Sequence, residues 1–169
     1  MEEWDIYTEN REKTGRIHTR GEKMNPGEFH LVVTALIFNS EGKLLIQQRQ
    51  STKEGWPDMW DFSAAGSAIK GENSQQAMIR EVKEELGVII DPSNSHLKFS
   101  WHFPNGFDDF WVIYQDVAIE EMTLQIEEVQ DVCWVTQEEV NQLAKEGKMI
   151  PYFFLSDVFS WIHKKNLES

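Results

Sequence analysis

The residues of this chain best placed to do chemistry are three glutamates, Glu81, Glu84 and Glu85. They fall at i, i+3 and i+4. If the segment is helical, at roughly 100° per residue, they share one face. Like charges at that spacing repel by a few tenths of a kcal/mol per pair. Glu84 and Glu85 also sit in what would be the last helical turn, where the helix dipole favours cations. Two readings follow. One is a solvated acidic face, with Arg80 and Lys83 as local partners. The other is a carboxylate set that waits for a hard divalent cation with oxygen ligands, Mg²⁺ or Mn²⁺.

The segment around them reads as a helix with its own stop and start signals. Asn73 is a capping residue and Gln76 stands three positions on, which makes a capping box. The spacing predicts a helix over residues 74–86, with Met78, Val82 and Leu86 as its buried stripe. Gly87 occupies the position where a helix-ending glycine belongs. A loop over residues 66–72 precedes it.

Spelled out, the stretch is Gly66, five residues, Glu72, seven residues, Arg80-Glu81-Val82, one residue, Glu84-Glu85, one residue, Gly87-Val88. Every fixed position of the Nudix box is present, so the chain resembles the Nudix hydrolase superfamily. The resemblance implies an α+β fold, an αβα sandwich on a mixed sheet with a loop–helix–loop motif at residues 66–88. It also implies Mg²⁺- or Mn²⁺-dependent hydrolysis of a diphosphate linkage. Carried over, Glu81, Glu84 and Glu85 are the expected metal ligands, with the Gly66 backbone carbonyl beside them. Arg80 would orient the carboxylates, paired with Glu72, and Gly87 would end the helix. The general base in this family is either a box glutamate or one on a later loop. Glu127 and Glu128 are the loop candidates, with an ordinary acidic surface loop as the alternative for each.

The flanks carry a second likeness. His30-Leu31-Val32-Val33, Ile37-Phe38-Asn39, Gly42-Lys43-Leu44-Leu45, Gln48-Arg49, Lys53, Trp56-Pro57 and Trp60 look like the isopentenyl-diphosphate isomerase branch. That branch needs a cysteine just before the box glycine and a histidine just after it. Here the residues read Ala64-Ala65-Gly66-Ser67, and the chain's one cysteine, Cys133, is far away. The expected activity is therefore hydrolysis, with isomerase-like and non-catalytic nucleotide-binding readings as alternatives. His30 is expected to be structural or substrate-contacting. Arg49 and Lys53 are candidate phosphate contacts. Trp60 is a core aromatic or a stacking platform for a flat substrate group, as are Phe62, Trp101 and Trp111.

The elements that would hold these residues are legible in part. Residues 1–29 are a polar extension with a short strand near Trp4–Tyr7 and a turn at Thr14-Gly15, expected to pack on a domain spanning residues 30–169. Residues 31–38 and 43–49 read as a hairpin about Asn39–Gly42. An aromatic-anchored loop leads to a short strand near residues 59–62. Strands are expected at 96–103, 110–119 and 132–135. Thr136-Gln137-Glu138-Glu139 opens a helix through about Lys145, and a final helix is expected from Ser156 to about Lys165.

The composition bounds the partners. Of 169 residues, 16 are Lys or Arg and 29 are Asp or Glu, for a net charge of −13. Such acidity argues against a nucleic-acid-coating role. It leaves room for a small phosphorylated substrate bridged by a divalent cation. No apolar run has the roughly 18 residues of a membrane span, and the acidic start lacks the pattern of a signal peptide. A cytoplasmic location is the expectation, and a homodimer is a family-level one. The substrate's second group is not written in the sequence.

Overall fold

The computed structural model describes residues 1–162. Among the described residues there are nine strands and two α-helices. They are β1 (Glu3–Tyr7), β2 (Lys13–Thr19), β3 (His30–Phe38), β4 (Leu44–Arg49), β5 (Trp60–Asp61), β6 (Ala64–Ser67), α1 (Ser74–Leu86), β7 (Ser95–Phe103), β8 (Gly106–Tyr114), β9 (Val129–Val135) and α2 (Gln137–Lys145). β1 and β2 make a separate two-stranded sheet. The other seven form a mixed sheet in the order β5-β4-β3-β8-β7, with β6 added to β3 and β9 to β4.

The centre of the sheet is β3, whose apolar run splits by alternation. Leu31, Val33, Ala35 and Ile37 face one core, packed with Met78, Val82 and Leu86 of α1. Leu36 and Phe38 face a second core with Leu44, Ile46, Val140 of α2, Phe154 and Val158. The sheet is thus covered on both sides, as an αβα sandwich requires. β3 runs parallel to β8 along its whole length, from His30 opposite Gly106 to Phe38 opposite Tyr114. On its other edge β6 runs antiparallel and sets Gly66 opposite Val33.

The hairpin expected from residues 31–49 is only a turn. Asn39 and Gly42 close it, but β3 and β4 pair at Phe38 and Leu44 alone. Beyond that point β4 turns to β9 and β5. Partners distant in the chain won both edges of β3, and local sequence carries no record of that competition. For the same reason β6, Ala64–Ser67, takes in the first two residues of the loop expected over residues 66–72.

Three other expectations need correction. The N-terminal turn lies at Thr8–Glu12, where Thr8 N donates to Glu12 O. Gly15, with φ 83°, lies inside β2, and the register shifts between Asp5 and Tyr7. A glycine serves a bulge as readily as a turn. The strand expected at 110–119 runs instead from Gly106 to Tyr114, and Ile119–Glu121 is a 3-10 turn. Its polar start, Asp108-Asp109, disguised it. Finally, Leu155–Trp161 is a 3-10 helix, not the α-helix expected from Ser156; the predicted end near Lys165 falls outside the described residues. Its buried residues, Leu155 and Val158, are three apart, the period of a 3-10 turn.

Helix α1 has the predicted bounds. Asn73 accepts from Gln76 N, the Gln76 side chain accepts from Asn73 N, and Gly87 is left-handed at φ 68°. Among the described residues no helix is long and apolar enough to cross a membrane.

Candidate active site

The polar face of α1 looks into a cleft of about 240 Å³. Glu81, Glu84 and Glu85 form one wall, beside Ala65, Gly66 and Ser67 of β6. Arg49, Lys53 and Glu128 line it from other elements, with Gln47 and Asp61 at its floor. Of the candidate residues, Arg80, Glu72, Gly87, Glu127, His30 and Trp60 lie outside the lining.

Arg80 organises the carboxylates. Its guanidinium grips Glu72 with two prongs, Nε to Oε1 at 2.5 Å and Nη2 to Oε2 at 3.1 Å. Nη1 reaches Glu81 at 3.0 Å and Glu84 at 3.1 Å, and Nη2 donates to the Ser67 carbonyl at 3.0 Å. Burial works against the Arg80 charge, but Glu72, Glu81 and Glu84 hold its pKa above the ordinary arginine value. Glu72 in turn accepts from Ile69 N at 3.1 Å, so the loop and the helix are tied by one charge-assisted knot.

Glu85 is 6% exposed and accepts from Gln47 Nε2 at 2.6 Å. Burial pushes its pKa up to about 8, against the pull of the Gln47 hydrogen bond. Burial likewise raises Glu81 to about 7, although Arg80 lowers it. Two carboxylates held in a dry wall want a compensating charge. Gly66 completes that wall. A Cβ on it would stand 2.2 Å from Glu81 Oε1, so any side chain there would displace the carboxylate.

The donor set suits a hard divalent cation, all oxygen and mostly anionic. One oxygen of each carboxylate is engaged otherwise, Glu81 and Glu84 with Arg80 and Glu85 with Gln47. Among the described residues no three acidic, His or Cys side chains stand ready converged as a metal-binding group.

The C-terminal end of α1 anchors the opposite loop. Thr123 N donates to Leu86 O and Gln125 N to Glu85 O. A Cβ at Gly87 would lie 3.0 Å from Thr123, so this crossing depends on glycine. The loop then delivers half-buried Glu128, which is ion-paired with Lys53. Glu127 is exposed. Arg49 donates to the Gly55 carbonyl and stands 3.9 Å from Asp61.

The remaining candidates are packed against other side chains of the fold. His30 stacks on Trp4 with centroids 4.3 Å apart. Burial, and less so His18, pushes its pKa down to about 4. Trp60 packs on the second core, as does half-buried Cys133. Burial raises the Cys133 thiol to about 11. Trp111 donates from its indole to Ser74 Oγ.

Sequence reading missed Gln47 and Asp61. Both are polar residues in strands that bury their neighbours, and that mismatch was a usable signal. Tyr152 donates to Asp61 at 2.6 Å, a contact that only the fold creates.

The NUDIX domain family model matches residues 28–154. The chain belongs to the Nudix hydrolase family. It is 59% identical over 160 residues to an uncharacterised Nudix hydrolase of Listeria monocytogenes, covering 95% of each chain. It is 32% identical over 110 residues to the isopentenyl-diphosphate Delta-isomerase of Salmonella heidelberg, covering 62% of this chain and 61% of that one. The isomerase-like flanks of this Nudix protein agree with that second match. Among solved structures, DR0079 from Deinococcus radiodurans superposes with a TM-score of 0.75 at 23% identity. The match covers 94% of this chain and 98% of that one, so the two share one fold over nearly their whole length.

Proposed function

We propose that this Nudix protein hydrolyses a phosphoanhydride in a small diphosphate-containing substrate, with Mg²⁺ or Mn²⁺ held by Glu81, Glu84, Glu85 and the Gly66 carbonyl. The carrying observation is the juxtaposition in one cleft of three helix carboxylates with two cations, Arg49 and Lys53. A diphosphate needs both, because its own charge repels an incoming hydroxide. The cation, when bound, would neutralise phosphate charge and lower the pKa of water.

The chain's own residues supply the rest. Arg80 holds Glu81 and Glu84 on the cleft side of α1, braced by Glu72. Gln47 fixes Glu85. Arg49 and Lys53 are the phosphate contacts. Glu128 is the loop carboxylate within reach of the cleft and is our choice over exposed Glu127 for the base that takes a proton from water. The cleft lining has alanine and serine at 65 and 67, where the isomerase branch has cysteine and histidine, which supports hydrolysis over isomerisation.

The test is phosphate release from a panel of organic diphosphates, run with Mg²⁺, with Mn²⁺ and with EDTA, and with a separate readout for isomerisation of isopentenyl diphosphate. Metal-dependent release from one class is expected. Glu85→Gln is expected to cut kcat by at least ~100-fold with the fold intact. Full activity in that variant would refute the ligand assignment; tight binding with no turnover in the wild type would identify a binding module instead.

A further inference from the structure

The family match begins at residue 28, yet the cleft does not end there. Glu2 and Arg20, from the open end of the β1–β2 hairpin, line it together with Gly66, Glu81 and Glu84. The hairpin is fastened there rather than resting loosely. Lys70 N donates to Glu3 O and Gly71 N to Asp5 Oδ2, both at 2.8 Å. Trp4 stacks between His30 and His18. At the far end Arg11 makes a two-pronged pair with Asp109, each contact 2.8 Å. These bonds clip β1 onto the loop that leads into α1, so the hairpin mouth has a fixed place beside the box.

Arg20 is the exposed cation of the cleft. Its side chain is 62% exposed, and Glu2 holds it at 3.4 Å, long for a charge-assisted hydrogen bond. Its backbone N donates to Glu2 O at 3.0 Å, which fixes the root of the side chain. Lys53 and Arg49 are each more committed, to Glu128 and to Gly55 and Asp61. The cleft lining sets six carboxylates against three cations. An anionic substrate entering it depends on each of the three, and Arg20 is the one with free guanidinium surface.

We propose that the N-terminal hairpin is a wall of the active site and that Arg20 binds the substrate's diphosphate through its non-bridging oxygens. The inference rests on the hydrolase reading above and adds a residue outside the family domain to it. Glu2 is the competing acceptor that Arg20 leaves when phosphate arrives.

The experiment uses the full chain, Mg²⁺ and inorganic pyrophosphate as probe, with binding measured by calorimetry. R20A is expected to weaken pyrophosphate about tenfold or more. For whichever diphosphate the panel identifies, KM should rise while kcat stays within about threefold, with an unchanged Tm. R20K should recover most of the affinity, and E2Q, which releases Arg20, should tighten it. Equal pyrophosphate binding by wild type and R20A overturns the proposal, as does a wild type that binds none. A loss of affinity in R20A and R20K alike, together with a lowered Tm, makes Arg20 structural and overturns it too. If R20A loses pyrophosphate while the wild type hydrolyses nothing in the panel, the hydrolase reading fails and the contact stands.

Discussion

At the scale of single residues, the site depends on a few contacts with no slack. Gly66 is the sharpest. Glu81 occupies the space of its missing side chain, 2.2 Å from where a Cβ would be. Gly66→Ala should therefore leave the fold in place but shift the Glu81 carboxylate by about 1 Å. A displacement of that size costs on the order of 100-fold in rate. The check is kcat/KM beside circular dichroism; unchanged activity would mean that Glu81 has another productive position. Arg80 is the counterpart. It occupies Glu81 and Glu84 while leaving both on the cleft side, so the carboxylates are neutralised in part without being withdrawn.

At the scale of elements, the box is positioned from both ends. The capping box fixes where α1 begins, and Gly87 fixes where it ends. The β1–β2 hairpin then locks onto β8 through Asp109, which is fully buried. Burial opposes ionisation of Asp109, but Arg11, Ser100 and Ser74 outweigh it and hold the pKa below the ordinary aspartate value. A depressed carboxylate pKa gives stability that is present above the unfolded value and is lost as pH falls through the folded one. Arg11→Ala should cost about 1–2 kcal/mol near neutral pH, discounted because the arginine is partly exposed. The gap in Tm between wild type and variant should narrow as the pH is lowered toward about 3. A gap independent of pH would remove charge from the explanation and leave only packing.

At the scale of the whole molecule, an acidic chain of net charge −13 concentrates carboxylates where it expects a cation. On the proposed metal reading, buried Glu85 and Glu81 are a liability in the free protein and an asset once a cation is bound. A cation that binds only the folded state stabilises it by about 2.7 kcal/mol at 100 times its Kd. Mn²⁺ or Mg²⁺ should thus raise the Tm, and EDTA should reverse the rise. In EDTA, Glu85→Gln should melt at or above the wild type, because a buried carboxyl whose ionisation burial opposes is replaced by a neutral amide. With Mn²⁺ the order should invert. A variant that melts lower than the wild type in EDTA would show that the Gln47 hydrogen bond outweighs the burial cost.

The sequence by itself determined what is local. The bounds of α1 were readable because its caps lie within three residues of the turns they close. The Arg80, Glu81, Glu84 and Glu85 face was readable because helical geometry follows from spacing. The family followed from the same stretch. What only the tertiary structure decided is what depends on residues distant in the chain. Strand β3 pairs along its length with β8 and β6 and meets β4 only at Phe38 and Leu44, and no local pattern encodes that choice, because an apolar strand can satisfy its edges with any other. Gln47 meets Glu85 across 38 positions, and Glu128, not Glu127, turns inward because the loop is pinned to the end of α1. Arg20 had no mark in the sequence at all. It is a solvated arginine in a polar segment until the hairpin folds back and lays it beside the box.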